Sequence, residues 1–389
     1  MRLDPEQLLS RQGIKRLLKA LDAKQATARF VGGAVRDLLL AEAPGDLDLA
    51  TTLSPDDVIR RLEAGGIKAV PTGIEHGTIT AVSSGTVVEV TTLRSDVTTD
   101  GRRATVAFTD DWQQDASRRD FTINALYADP FNGKIFDYFG GLDDLKSRTV
   151  RFIGNPLQRI AEDHLRILRY FRFHARYGHG EPDPQALEAC VARANDLMAL
   201  SRERIADELL KLLNLADPSP TVALMHERGI LEPVVPEVSN VDRLAALVAA
   251  EREAGIKLDS LRRLAALLPP DPKVAERVAA RLKLSNKAKK RLSSAANSDL
   301  GLGPRPLAYR LGIEGAIDRL LLAGKAKDAA AIAGWDPPRL PIGGAEVMAR
   351  GIPQGPEVAR TLRRIEDAWE AAGFPTGSKF ENLVEEALG

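Results

Sequence analysis

Strand-like sequence fills only the first third of this chain and then stops. From about Arg29 to Asp137, Val, Thr, Ile and Gly gather into short runs: ARFVGG, GDLDLATT, GTITAVSS, TVVEVTTLR, ATVAFT, INALYAD and KIFDYF. Such runs bounded by turn residues read as half-buried strands. Thr80–Val90, with Ser-Ser-Gly at its middle, reads as a hairpin. Helical stretches lie between the strands over Ala34–Ala41, Pro55–Gly65 behind a Ser54 cap, and Asp115–Asn124. After Gly154 the strand pattern is gone. Pro156–Tyr177, Pro184–Leu200, Arg204–Leu215, Pro220–Glu227, Val241–Ala254, Leu258–Leu268, Pro272–Leu282 and Gln354–Ala372 read as helices, parted by joints such as GHGEPDP, ADPSP and LPPDP. Residues 5–22 form one further amphipathic helix, with Leu8, Ile14, Leu17, Leu18 and Leu21 near helical spacing. The pattern predicts an α/β N-terminal domain on a mixed or antiparallel sheet, followed by an elongated all-α C-terminal region.

A chain of 389 residues exceeds the size of one hydrophobic core, so more than one domain is expected. Its net charge is zero, so only local charge can speak to a nucleic-acid partner. The single cysteine, Cys190, excludes an intramolecular disulfide framework and fits a reducing compartment. The opening MRLDPEQLLSR lacks the apolar stretch of a secretory signal, and no apolar run nears the roughly 18–20 residues of a membrane span. The expectation is a cytoplasmic protein with no membrane association and no obligate protein partner.

Within the strand region, GDLDLATT carries two acids where acids are uncommon. Residues two apart share a strand face, so Asp46 and Asp48 point the same way, about 7 Å apart, while Leu47 and Leu49 face a core. Two carboxylates on one face either end in solvent or hold a divalent cation, and Mg²⁺ favours carboxylates together with substrate phosphates. Upstream, Gly32-Gly33 sits between a strand and the helix AVRDLLLA, where backbone N–H groups can approach a phosphate. Arg36 in the first turn of that helix could add a fork of donors. Neither G-x-G-x-x-G nor G-x-x-x-x-G-K-S/T is present, so neither named phosphate loop applies. Glu89, in VVEVTT, is a third acid that an antiparallel neighbour could bring beside the Asp pair, or an incidental edge acid. Three carboxylates can hold two metals, one activating a terminal hydroxyl and one neutralising a leaving pyrophosphate.

GGAVRD with GDLDLAT, then SRRDFTINAL (Ser117–Leu126), FDYFGGLDDL (Phe136–Leu145), AEDHLRILRYFRF (Ala161–Phe173) and SRERIADELLKLL (Ser201–Leu213) resemble, in order, the motifs of the tRNA nucleotidyltransferase/poly(A) polymerase family. The similarity is to its bacterial and eukaryotic class of CCA-adding enzymes and runs from about residue 28 to 215. The resemblance implies a polymerase-β-like catalytic head at 1–150, a helical nucleotide-recognition neck at 151–215, and a tRNA-binding helical body and tail at 216–389. It further implies that Asp46 and Asp48 bind Mg²⁺, and that Gly33 and Arg36 contact nucleotide phosphates. Arg119 would touch the incoming nucleotide, Asp120 and Asn124 would shape the sugar pocket, and Asp163, Arg166, Arg169 and Arg172 would line the nucleotide site.

That last group also has a chemical reading of its own. CTP and ATP both present an amino donor beside a ring-nitrogen acceptor on the pairing edge, whereas UTP and GTP present the reverse. A carboxylate with an Arg would accept C and A and reject U and G. Asp163 and Arg166 are i and i+3 on the expected helix, with Arg169 and Arg172 continuing the ridge and Ile167, Leu168, Phe171 and Ala175 keeping the core face. Other residues read more plainly. His76 and His164 have no second ligand at zinc spacing, Cys190 packs, and the basic run NKAKKRL (Asn286–Leu292) is a solvated face that could meet RNA phosphates.

TGIEHGTITA lacks the Gly-Arg-Arg-Phe type of stretch that poly(A) polymerases of the family carry, and the chain has no long basic tail. Thr92–Thr109 resembles the flexible loop, around the Asp100–Arg103 turn, that members need to switch from C to A addition. The expectation is therefore full CCA addition to tRNA from CTP and ATP, with release of pyrophosphate. Addition of A alone, of CC alone, or of a poly(A) tail remain alternatives, with a non-catalytic RNA-binding scaffold more remote.

Overall fold

Among the described residues, nine strands form over Ala28–Val31 (β1), Leu47–Thr51 (β2), Lys68–Gly73 (β3), Thr78–Ser83 (β4), Thr86–Thr92 (β5), Arg94–Asp100 (β6), Arg103–Phe108 (β7), Leu126–Ala128 (β8) and Ile135–Asp137 (β9). The structure, a computed structural model, describes residues 2–100 and 103–388, with side chains described outside 96–106. Seven strands make one mixed sheet in the order β3-β4-β5-β2-β1-β8-β9, and β6 with β7 makes a separate two-stranded ribbon. The Ser84-Gly85 turn joins β4 to β5, with both residues at positive φ, as the hairpin sequence predicts. β3 lies outside the strand runs read from the sequence; Pro71 falls within it, and it occupies the sheet edge, where a missing N–H does no harm.

The helices of this half are Glu6–Leu9 (α1), Ile14–Ala20 (α2), Gly33–Leu39 (α3), Pro55–Ala64 (α4), Trp112–Ser117 (α5), Gly141–Ser147 (α6), Pro156–Glu162 (α7), Arg166–Tyr177 (α8) and Pro184–Ala192 (α9). Three expected helices are broken, each for a local reason. The stretch 5–22 divides at Gly13 (φ +84), where a Cβ would lie 2.3 Å from the Ser83 carbonyl oxygen. The stretch 115–124 begins earlier because Asp111 caps it, accepting from the Gln113 N–H at 2.8 Å. It ends at Ser117, and Phe121 is extended (φ −121, ψ 149) before a single 3₁₀ turn at Thr122–Asn124. The stretch 156–177 breaks at Asp163 (φ −152, ψ 106), whose carboxylate accepts the Leu165 N–H at 3.1 Å in place of helical pairing.

α8 is fixed to the strand domain by aromatic packing. The Phe121 ring lies 5.0 Å from both Phe152 and Phe173, and Tyr170 stacks on Phe152 at 5.6 Å. Accordingly, one compact unit comprises Met1–Ser201 with Arg228–Pro233, and a second comprises Arg202–Glu227 with Val234–Gly389. The first unit thus runs past residue 150 and takes in α7, α8 and α9.

The second unit is helical among its described residues. It contains Arg202–Leu213 (α10), Ser219–Glu227 (α11), Asp242–Ala254 (α12), Ser260–Leu267 (α13), Pro272–Arg281 (α14), Asn286–Ala295 (α15) and Pro304–Leu322 (α16), then four shorter or later helices over Ala326–Ile332, Gly344–Ala349, Pro356–Ala371 and Ser378–Leu388. Buried ion pairs tie it together: Glu251 accepts from Arg262 at 2.8 Å and Arg263 at 2.9 Å, and Arg262 also reaches Asp318 at 2.8 Å. Arg263 donates to the Leu213 carbonyl at 2.8 Å, satisfying the open end of α10. The basic run NKAKKRL lies on α15, where Lys287 and Lys290 are exposed and Lys289 pairs with Glu276 at 3.0 Å.

Candidate active site

β2 buries Leu47 and Leu49, so Asp46 at its entrance and Asp48 within it face away from that core. Its partner β5 buries Val88 and Val90 and turns Glu89 outward. The two strands pair in register with Asp48 opposite Glu89. The sequence anticipated an antiparallel neighbour; the pairing is parallel. The chain crosses through α4, β3 and β4 before returning as β5, and the β4–β5 hairpin takes the other edge of β5. The carboxylates come together all the same.

Their crowding has an electrostatic cost. Burial, then the Glu89 charge, then Asp46 push the Asp48 carboxyl up to about 6, while Arg119 pulls the other way. A buried acid that ionises at a cost beside two other carboxylates is one that a hard divalent cation would relieve, and oxygen donors are what Mg²⁺ takes. Among the described residues no group of three or more His, Cys, Asp or Glu side chains is placed to hold a metal ion, Asp46, Asp48 and Glu89 together included. A cation on the Asp pair would therefore draw the rest of its shell from outside the protein, as a phosphate-bearing substrate would supply.

The glycine turn lies beside this face. Gly32 has φ +68, and a Cβ there would meet Arg119 Nη1 at 3.5 Å and the Asn124 carbonyl oxygen at 3.7 Å. Arg119 is held from behind. Its Nε donates to the Tyr127 hydroxyl and its Nη2 to Asp115, each at 3.2 Å. Arg119 thus bears on both parts of the site, its charge acting on Asp48 and its Nη1 lying near Gly32.

Arg36 lies elsewhere than the first-turn position suggested. It is buried, donates through Nε to Asp37 at 2.9 Å and through Nη1 to the Asn124 side-chain oxygen, and lies 4.1 Å over the Tyr177 ring. Its guanidinium is thus engaged with protein groups. Gly33 is half-buried, and a Cβ there would make ordinary contact with Arg36 Nη2 at 3.5 Å.

A second wall is formed by α7, α8 and the joint between them. Asp120 is buried and accepts from Asn124 at 2.8 Å, from Arg169 at 2.6 and 2.9 Å, and from the Phe121 N–H. Burial works to raise this carboxyl, but Arg169 and the hydrogen bonds hold it below its usual range. Asp163 is in the joint, not on a helix face, and Arg166 is the first residue of α8. Arg166 pairs with Glu162, donates to the Arg159 carbonyl at 2.8 Å and reaches the Arg118 carbonyl at 3.4 Å. Arg172 lies 4.8 Å over the Phe173 ring.

Several residues that shape this site escape a reading of the sequence. Asp115 and Tyr127 orient Arg119; Arg159 donates to the Arg118 and Arg119 carbonyls and pairs with Glu162. Their signal is present only as spacing: Asp115 is four residues before Arg119, and Arg159, Glu162 and Arg166 follow at three and four. Cys190 is fully buried on α9, and burial pushes its thiol up. The expected Asp100–Arg103 turn falls on residues 101–102, which lie outside the described residues. No helix among the described residues is long and apolar enough to cross a membrane.

Residues 28–151 match the poly A polymerase head domain, and 181–241 match the probable RNA and SrmB-binding site of polymerase A. The chain is 35% identical over 391 residues to the mitochondrial CCA tRNA nucleotidyltransferase 1 of Mus musculus, covering 95% of this chain and 88% of the mouse protein. It is 40% identical over 201 residues to the CCA-adding enzyme of Staphylococcus epidermidis, about half of each chain. Its fold is similar to that of the Bacillus stearothermophilus CCA-adding enzyme in complex with CTP, with a TM-score of 0.71 and 28% identity over 96% of this chain and 97% of that one. It shares the fold of the Thermotoga maritima CCA-adding enzyme complexed with tRNA, with a TM-score of 0.73 and 19% identity over 100% and 99% of the two chains.

Proposed function

The chain belongs to the tRNA nucleotidyltransferase/poly(A) polymerase family, and on that footing we propose that it adds CCA to the 3′ end of tRNA, using CTP and ATP without a nucleic-acid template. The observation that carries the reading is the juxtaposition of Asp48, Glu89, Arg119 and the Gly32 turn on one face of the sheet. A phosphate-transfer site needs carboxylates for a cation, a fixed positive charge and an approach for phosphate oxygens, and these four features supply them.

Asp46 and Asp48 would hold Mg²⁺, with Glu89 raising the negative field around them. When bound, the ion would make the tRNA 3′ hydroxyl more acidic and offset charge on the leaving pyrophosphate. Arg119 would meet the nucleotide phosphates through the nitrogen near Gly32, and Gly33 would leave the backbone open to them. Arg36 serves this arrangement from behind, since its bond to Asn124 fixes a residue that also binds Asp120. Asp120 and Asn124 would shape the sugar pocket, with Arg169 holding Asp120 ionised. Asp163 and Arg166 would read the edge that C and A share. Arg172 and the exposed basic face of α15 would serve RNA or phosphate contact. Residues 1–150 would then carry the chemistry, 151–215 base selection and 216–389 the grip on tRNA.

The test is addition to three tRNAs, ending before CCA, after C and after CC, with each nucleotide supplied alone. CTP should extend the first two by C, and ATP should extend only the third, by a single A. Runs of A would identify a poly(A) polymerase, C without A a CC-adding enzyme, and A without C an A-adding enzyme. No extension of any acceptor would leave an RNA-binding scaffold.

A further inference from the structure

Behind the site sits Asp115, a carboxylate only 1% exposed. Its Oδ1 accepts from Arg118 Nε at 2.9 Å and Nη2 at 2.7 Å, and from the Arg94 N–H at 3.3 Å. Its Oδ2 accepts from the Tyr127 hydroxyl at 2.6 Å and from Arg119 Nη2 at 3.2 Å. Tyr127 in turn accepts from Arg119 Nε at 3.2 Å. One guanidinium is therefore gripped by two of its three nitrogens, and the third is the one near the Gly32 turn.

A carboxylate buried only for structure would be neutralised by Arg118 alone, whose fork already provides two short bonds. The second arginine is superfluous to that purpose, and it remains 19% exposed in its side chain where Arg118 is 14% exposed. An arginine side chain has several rotatable bonds, and holding one in a single geometry costs conformational entropy. A site that binds phosphates with a pre-fixed guanidinium avoids that cost at the moment of binding. Burial works to raise the Asp115 carboxyl, yet Arg119, Arg118 and the Tyr127 hydroxyl keep it below its usual range, so the anchor stays charged. The Tyr127 ring is itself immobilised, 5.6 Å from Trp112 and 6.1 Å from Tyr138, both edge-on.

We propose that Asp115 and Tyr127 are positioning residues for nucleotide binding, aiming Arg119 Nη1 at the phosphates that approach the Gly32 turn. The inference rests on the reading of Arg119 as a nucleotide contact, and the experiment separates the two. Tyr127→Phe removes the hydroxyl that both Arg119 and Asp115 use while keeping the ring, and Asp115→Asn removes the anchoring charge. Each should raise the KM for CTP and for ATP alike by about five- to tenfold, the scale of one ordinary hydrogen bond lost. The KM for tRNA should not move, and kcat should change less than the nucleotide KM. In an Arg119→Ala background, Tyr127→Phe should add nothing, because its target is gone. If Arg119→Ala weakens nucleotide use but Tyr127→Phe does not, the positioning role is overturned and the Arg119 contact stands. If Tyr127→Phe adds its full effect on top of Arg119→Ala, it acts elsewhere and the proposal also fails. An Arg119→Ala enzyme with unchanged nucleotide KM would remove the earlier reading instead. Should Asp115→Asn not fold, Tyr127→Phe decides alone.

Discussion

Replacing Asp48 by Asn should stabilise the metal-free protein while removing its catalysis. The carboxyl stands at about 6 against 3.8 for a free side chain, because it is buried beside Glu89 and Asp46. At about 1.4 kcal/mol per pH unit, the ionised form costs folding up to ~3 kcal/mol, and about 2 once screening at its solvent edge is allowed for. The sign follows from proton counting. Below pH 3.8 both folded and unfolded chains keep the proton and there is no cost. Between 3.8 and about 6 the unfolded chain releases a proton that the folded one retains, so wild-type stability falls as pH rises through that window. Above it the cost is complete. Asn carries no charge, so its advantage should be absent near pH 3.5, grow to pH 6 and stay level beyond. For a unit of about 200 residues, 2 kcal/mol corresponds to a melting temperature higher by roughly 4–8 °C. Thermal unfolding in chelator from pH 4 to 8, for both proteins side by side, measures it. Mg²⁺ with CTP should then raise the melting temperature of the wild type and not that of the variant. No gain at pH 8, or a gain of the same size at every pH, would refute the reasoning.

Asp163→Asn, which brings a donor to an acceptor position, should relax rejection of UTP and GTP in competition assays with all four nucleotides on a tRNA lacking CCA. Loss of the Arg166 donor in Arg166→Ala should do the same, and because Arg166 also bonds the Arg159 carbonyl, that variant should melt measurably lower; unchanged C and A selectivity in both would place base recognition elsewhere. Deleting Asp100–Arg103 should leave CC addition and stop the final A, read as products one residue short on sequencing gels.

The sequence makes the acid pair legible because a period of two is a local property: Leu47 and Leu49 point inward, so Asp46 and Asp48 must point out. The direction of the strand beside them is not local. Glu89 stands opposite Asp48 only because two strands and a helix intervene and return the chain parallel. The break at Asp163 was hidden for a related reason. AEDHLRIL contains no Gly or Pro, and the turn depends on a carboxylate taking the Leu165 N–H. Arg36 illustrates the longest reach. Its spacing places it in an exposed-looking first turn, but its environment is set by Tyr177 and Asn124, far away in sequence. NKAKKRL reads as a solvated face that could meet RNA phosphates, and its charge run hides a ten-residue helix behind the Ser285 cap.

The bonds between the two walls of the site bear on how it could discriminate among bases. Arg159 donates to the carbonyls of Arg118 and Arg119, Arg166 reaches that of Arg118, and Arg169 binds the Asp120 carboxylate. The joint expected to read the base is therefore tied, through backbone, to the segment expected to hold phosphates and sugar. Were the two on independent supports, a wrong base would lose only its own contacts, and saturating it would restore the rate. With the walls bonded, a base that displaces Arg166 also disturbs Arg118 and hence Arg119, so misfit reaches the reacting phosphates. UTP should then be rejected in turnover as well as in binding. Single-turnover rates at saturating CTP and UTP, on a tRNA lacking CCA, measure this. UTP should remain slower by tenfold or more after its binding site is full. Equal rates at saturation would mean that selection ends at binding and that the bonds between the walls serve only the fold.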